Sequence, residues 1–242
     1  MKPDSKPFAG FSKEIFRFLK DLDKHNNVEW FHSNRERYQN YLVEPAKSFI
    51  CEIAPFLNRL NPAIRTEPKF NQTIMRLNKD MRFAKGDPYR AFLLIHFGKF
   101  KLDSEFYIYF EPDNYSMGLF INRSEEENLF FRRNQVKFKK EIQNVCSKYK
   151  INNNYSLSYL GKETSTVKAK FNAEKHFDLL SDYDLLLLEK VRKPGEKVLF
   201  SDAIIVEMIK MISTLYPLYC FSFSAQPMKE LQRFEENFGM II

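Results

Sequence analysis

Phe106, Ile108 and Phe110 alternate with Tyr107 and Tyr109, a period of two that only an extended strand can place on two faces. Asp103-Ser104 offers a turn ahead of this run. Pro112-Asp113-Asn114 ends it, and Tyr115 to Ile121 supplies the next strand. Upstream, Ala91 to Phe97 is apolar nearly throughout, as expected for a strand covered on both faces, although a run that short also fits a buried helix. Three short strands joined by tight turns make an antiparallel meander.

Around this meander the apolar period changes to that of helices. Phe11, Ile15, Phe18 and Leu22 share one face, with Ser12 as N-cap and Glu14 in the positively polarised first turn. Asn27 caps a second helix with Phe31, Tyr38 and Leu42 on one side, and Pro45 opens a third through Phe49, Ile53 and Leu60, bent or broken at Pro55. From Ala63 to Gln72 the period is lost. Ser124 and the glutamates after it predict a long helix to Cys146, stopped at Asn152-Asn153-Asn154. Thr164 to Lys170 reads as an edge strand with lysines toward water, and Ser201 to Tyr216 as a last helix capped by Ser201 or Asp202. The fold expected is α+β: an antiparallel sheet containing a three-stranded meander, packed against N-terminal, central and C-terminal helices.

At 242 residues, with 25 phenylalanines, the chain can fill one large core. It is read as a flexible lead-in over 1–10 and a single domain over 11–242. Cys51, Cys146 and Cys220 are far apart and odd in number, which argues against a disulfide framework or zinc site and for core thiols in a reducing compartment. No signal-peptide stretch opens the chain, and no run approaches the 18 or so apolar residues of a bilayer span. A cytoplasmic protein without a membrane partner is expected. The net charge of +7 favours acidic partners in general, and much of the excess sits on lysines of a solvated helix face.

Familiar chemistry is missing from the sequence. The seven glycines form no G-x-G or G-x-x-x-x-G-K pattern, so dinucleotide and Walker phosphate loops are excluded as sequence signals. His25, His32, His96 and His176 make no H-x-x-x-H pair, and neither a metal nor a cofactor is expected. No G-x-S-x-G elbow occurs.

What remains is the stretch from Arg76 to Phe92, where five basic side chains, two aspartates and three aromatics meet. Arginine forks match carboxylate and phosphate, so Arg76, Arg82 and Arg90 with Lys79 would make an anion site beside Phe83 and Tyr89. Asp80 is the candidate catalytic residue, as orienter or base. If 76–80 is helical, Arg76 and Asp80 share a face; if 80–82 is extended, Asp80 and Arg82 do. Arg35 lies on the apolar stripe with Phe31 and Tyr38, so it must pair internally, for which Asp80 is a plausible partner, or face a cleft. The alternative for the whole group is an ion-pair network that ties helices to sheet.

Asn26-Asn27-Val28-Glu29-Trp30-Phe31 with Arg35 and Tyr38, then Arg76-Leu77-x-Lys79-Asp80-x-Arg82-Phe83-Ala84-Lys85 and Pro88-Tyr89-Arg90, resemble the bacterial and fungal family known as domain of unknown function 2461. Weaker matches are Gly118-Leu119, Leu129 to Arg133, and Val167-Lys168-x-Lys170-Phe171 with His176. The resemblance implies a single α+β domain and no established activity. The chain departs from the pattern at Lys79, where arginine is commoner, at Ala84, where serine is, and at Gly86-Asp87, which shorten the segment before Pro88.

Three functions follow as expectations. The first is a cleft that binds a small phosphate- or carboxylate-bearing ligand, with turnover left open, through Arg35, Tyr38, Arg76, Lys79, Arg82, Phe83, Tyr89 and Arg90. The second, less favoured, is nucleic-acid binding through the basic surface, with Tyr107, Tyr109 or Phe83 stacking on bases. The third is a protein interaction domain with a purely structural network. The sequence leaves the oligomeric state and any reaction open.

Overall fold

A computed structural model of the chain describes residues 7–83, 85–161 and 164–239. The described residues form two compact units. One draws on the described residues within Met1–Phe97, Tyr107–Ser116 and Pro194–Glu207, the other on those within Gly98–Phe106, Met117–Lys193 and Met208–Ile242. The fold class is α+β, with a six-stranded antiparallel sheet that contains the meander.

The first unit opens with α1 (Glu14–Lys24), whose buried face is Ile15, Phe18, Leu19 and Leu22. Packing begins ahead of the helix, because Phe8 is buried and its ring meets Phe11 at 5.1 Å and Phe49 at 5.4 Å. The lead-in expected over 1–10 is therefore packed at its described end, while residues 1–6 lie outside the described residues. Ser12 does not cap with its side chain: its carbonyl accepts from Ile15 N at 3.1 Å, and its buried hydroxyl has no hydrogen-bond partner among the described residues.

Asn27 caps α2 (Val28–Ser33) as expected, its Oδ1 accepting from Trp30 N at 2.9 Å. The second helix is not continuous. Asn34 interrupts it before α3 (Arg35–Tyr38), and a π-turn over Gln39–Val43 leads into α4 (Glu44–Leu60). Despite the break, Phe31 and Tyr38 remain in contact, with ring centroids 5.2 Å apart. The helix α4 continues through Pro55, with Phe49, Ile50, Ile53 and Leu57 fully buried and Cys51 exposed rather than in the core.

After an irregular crossing comes β1 (Leu93–Phe97). Leu93, Ile95 and Phe97 are buried while Leu94 and His96 are partly open, so one face of this strand is covered and not both. Residues 73–75 run beside it: Ile74 bridges Ile95, Met75 N donates to Leu94 O and His96 N to Thr73 O, each at 3.0 Å. The next strands are β2 (Glu105–Glu111) and β3 (Asn114–Asn122), with Phe106, Ile108 and Phe110 fully buried.

In the second unit the helix expected from Ser124 to Cys146 is two helices, α5 (Phe131–Lys137) and α6 (Lys139–Lys148), broken at Phe138. The glutamates after Ser124 precede α5 in a loop, and its first turn holds no acidic residue. Then follow β4 (Tyr155–Leu160), β5 (Thr164–Lys168), α7 (Ala173–His176), a 3-10 turn over Phe177–Ser181, and β6 (Leu185–Lys190). The strand order is β1-β2-β3-β6-β4-β5, so β6 inserts between the meander and the β4–β5 hairpin, and β5 is the edge strand expected. Gly118 faces the carbonyl of Leu188 across β3 and β6, where a Cβ would lie 1.9 Å from that oxygen.

The chain ends with α8 (Glu196–Leu199), α9 (Ala203–Phe223) and α10 (Pro227–Phe238). The last helix expected is thus longer than its sequence limits, running on through Pro217, and another follows it. By length and composition α9 is apolar enough to cross a bilayer, against the expectation of no such run; 67% of its apolar window is buried inside the protein, as in a core helix.

Candidate functional site

Residues 76–80 are not helical, so Arg76 and Asp80 do not share a helix face. Asn78 bridges Tyr89, Lys79 N donates to Pro88 O and Arg90 N to Leu77 O, both at 2.8 Å, which makes a two-sided arm with residues 80–87 at its tip. Gly86, at φ +83°, supplies a left-handed turn in that tip. Ala84 lies outside the described residues.

The arm's root is fixed by Asn26. Its Oδ1 accepts from Tyr89 N and its Nδ2 donates to Tyr89 O, both at 3.0 Å, so one amide satisfies both backbone groups of a buried residue. The Tyr89 ring then stacks on Phe31, with centroids 4.1 Å apart and planes 14° apart. Arg90 braces the same root: its Nη1 donates to Asn78 O at 2.7 Å and Arg76 O at 3.3 Å. That guanidinium is committed to the backbone.

Beside the root, the first unit holds a cleft of about 450 Å³ lined by Phe31, His32, Arg35, Tyr38, Gln39, Phe70, Arg76, Asn78 and Tyr89. Four of the residues singled out in the sequence meet here: Arg35, Tyr38, Arg76 and Tyr89. No lining residue carries a carboxylate. Arg35 and Arg76 are exposed, and neither guanidinium makes a hydrogen bond or ion pair with another described residue. The Tyr38 hydroxyl likewise has no partner among them. Burial pushes its pKa up to about 12, against the downward pull of the Arg76 cation, so it stays an O–H donor through the physiological range.

The other sequence candidates lie on the arm outside the cleft lining. Asp80 is held by Arg82 rather than Arg35: its Oδ1 accepts from Arg82 Nε at 2.9 Å and its Oδ2 from Nη2 at 2.7 Å. This pairing, with a further bond from Arg82 N, holds the Asp80 carboxyl below its ordinary range and raises Arg82. Both residues are solvated, so the pair fixes the turn more than it adds stability. Phe83 projects from the tip at 87% exposure, and the Arg82 guanidinium lies 5.6 Å from its ring centre. Lys79 is half-buried at the arm's root.

Phe31, His32, Gln39, Phe70 and Asn78 complete the lining without having been singled out as site residues. Gln39 stands one turn beyond Arg35, a spacing that could have flagged it. Phe70 comes from the aperiodic crossing and has no such signal. A second depression, in the other unit, is lined by Ser224 to Gln226 and by α10 residues that include Lys229 and Arg233 beside Glu230 and Glu236. It reads as a charge-balanced, solvated helix face. Among the described residues no three His, Cys, Asp or Glu side chains cluster as metal ligands would.

The model of the family described as "Conserved hypothetical protein (DUF2461)" matches residues 14–221, most of the chain and all of the cleft lining. No curated protein matches.

Proposed function

We propose that this chain, which belongs to the DUF2461 family of conserved hypothetical proteins, binds a small phosphate- or carboxylate-bearing ligand in the cleft beside α3. One observation carries this reading: two guanidinium groups share a cleft with no carboxylate in its walls and none paired to them among the described residues. A structural arginine is ordinarily matched, as Arg90 is by carbonyls and Arg82 by Asp80. Two unmatched ones beside a free phenol form a donor set awaiting acceptors. The stacked Phe31 and Tyr89 supply an apolar wall, the usual companion of a few polar anchors in a ligand site.

Asp80 is a weaker base in this reading, since its carboxylate is occupied by Arg82 at the arm's tip. The support is for binding rather than for a reaction. Nucleic-acid binding draws less support. Tyr107 is 5% exposed and Tyr109 half-buried, which leaves Phe83 as the open aromatic among those considered for stacking.

Thermal melts at low salt with inorganic phosphate, phenyl phosphate and benzoate test the reading. A ligand at 100 times its Kd stabilises by about 2.7 kcal/mol, and Arg35→Gln should abolish most of that shift while leaving the unliganded Tm within about 1 °C, because the side chain is exposed and unpaired. A shift that survives intact in Arg35→Gln and Arg76→Gln would count against the cleft.

A further inference from the structure

We infer that the ligand is a phosphate monoester held as its dianion, with an apolar or aromatic body against the Phe31–Tyr89 wall; this rests on the anion-binding reading above. Three observations select that class. The cleft walls carry two guanidinium charges and no opposing carboxylate, so a monoanion leaves one positive charge unmatched and a dianion leaves none. The donors lining it come from three side chains, Arg35, Arg76 and the Tyr38 phenol, whose hydroxyl lies within the field of Arg76. A carboxylate has two oxygens to offer them; a phosphate monoester has three terminal ones. Finally, a cleft of about 450 Å³ with Phe31, Phe70 and Tyr89 in its wall is larger and more apolar than a bare phosphate requires.

The three anions that separate these ideas share a phenyl body. Benzoate has one charge and two oxygens, benzenesulfonate one charge and three oxygens, and phenyl phosphate three oxygens with a second charge that appears above a pKa of about 6. Isothermal titration at low salt, at pH 8 and pH 5, should show phenyl phosphate binding about tenfold or more tighter than either monoanion at pH 8. Its advantage over benzenesulfonate should fall about tenfold at pH 5, where the dianion is protonated. The sulfonate keeps its charge across that range and so serves as the control for the rest of the wall, which includes His32. Arg35→Gln and Arg76→Gln should each weaken phenyl phosphate about tenfold or more, and Tyr38→Phe by less, with thermal melts confirming that each variant folds.

Equal binding of phenyl phosphate and benzenesulfonate at pH 8, lost in the arginine variants, overturns the dianion inference and leaves an anion cleft standing. Equal binding of all three anions by wild type and both arginine variants overturns the cleft itself, as does binding of none. Should one arginine variant fail to fold, the other and Tyr38→Phe carry the same comparison.

Discussion

Asp103 is a buried carboxyl with a measurable consequence. Its Oδ1 accepts from Ser104 N at 2.7 Å, and its Oδ2 from Lys99 N at 3.0 Å and the Tyr219 hydroxyl at 3.2 Å. Burial nevertheless pushes its pKa up to about 6, with Glu105 adding to the rise and the three hydrogen bonds opposing it. The unfolded chain releases this proton near pH 3.9, so between about pH 4 and 6 the folded state binds more protons and stability falls as pH rises. The contribution is fully present below pH 4 and gone above about pH 6; two units correspond to something on the order of 3 kcal/mol. Asp103→Asn should flatten that part of a stability profile measured by urea unfolding from pH 4 to 7. A variant profile parallel to wild type would show that Asp103 is not the titrating group. The arginines differ in how legible they were. Arg35 on an apolar stripe announced either a partner or a cleft, whereas Arg90 gave no sign that carbonyls at 76 and 78 would occupy it, because backbone partners leave no mark in side-chain spacing.

The arm over residues 76–90 behaves as an element although its pairing rests on a single bridge and the two hydrogen bonds beside it. Asn26 is what ties it to the helices, and Asn26→Ala would leave the N–H and C=O of buried Tyr89 without those partners. A loss of about 1–2 kcal/mol is expected, together with faster trypsin cleavage after Arg82 or Lys85, read by mass spectrometry of timed digests. Unchanged cleavage would mean that the Phe31 stack and the Arg90 bonds hold the root without Asn26. Elements with a clean period were readable: the Asn27 cap, the α1 face and the β2 alternation all follow from local chemistry. The break between α5 and α6 was not, since Val136, Ile142 and Val145 sustain a helical rhythm across Phe138. Tertiary contacts decide there: Asn134 donates to Phe221 O at 2.9 Å and Ser224 O at 2.8 Å, and Val136 stays 84% exposed. The cleft was half-readable for the same reason. Its α3 and arm residues sit in motifs, while Phe70 arrives by a path that only the folded chain defines.

For the molecule as a whole, the β3–β6 pairing leaves no room for a side chain at position 118. Gly118→Ala would drive a methyl group into the Leu188 carbonyl, and backbone on both sides must move to admit it. We expect a loss of about 3 kcal/mol or more, or failure to accumulate as soluble protein, measured as a shift in the denaturant midpoint; a shift below about 1 kcal/mol would show that the strands separate easily. The sheet's two margins are unlike. Along β1 the backbone is engaged by residues 73–75, whereas β5 has no strand beyond it among the described residues. A second copy that added to this sheet would meet β5 with its own β5, a two-fold pairing that uses up the open margin of both partners. Fibres need two different margins that fit each other in endless succession, and the bridge between Ile74 and Ile95 leaves this sheet with one among the described residues.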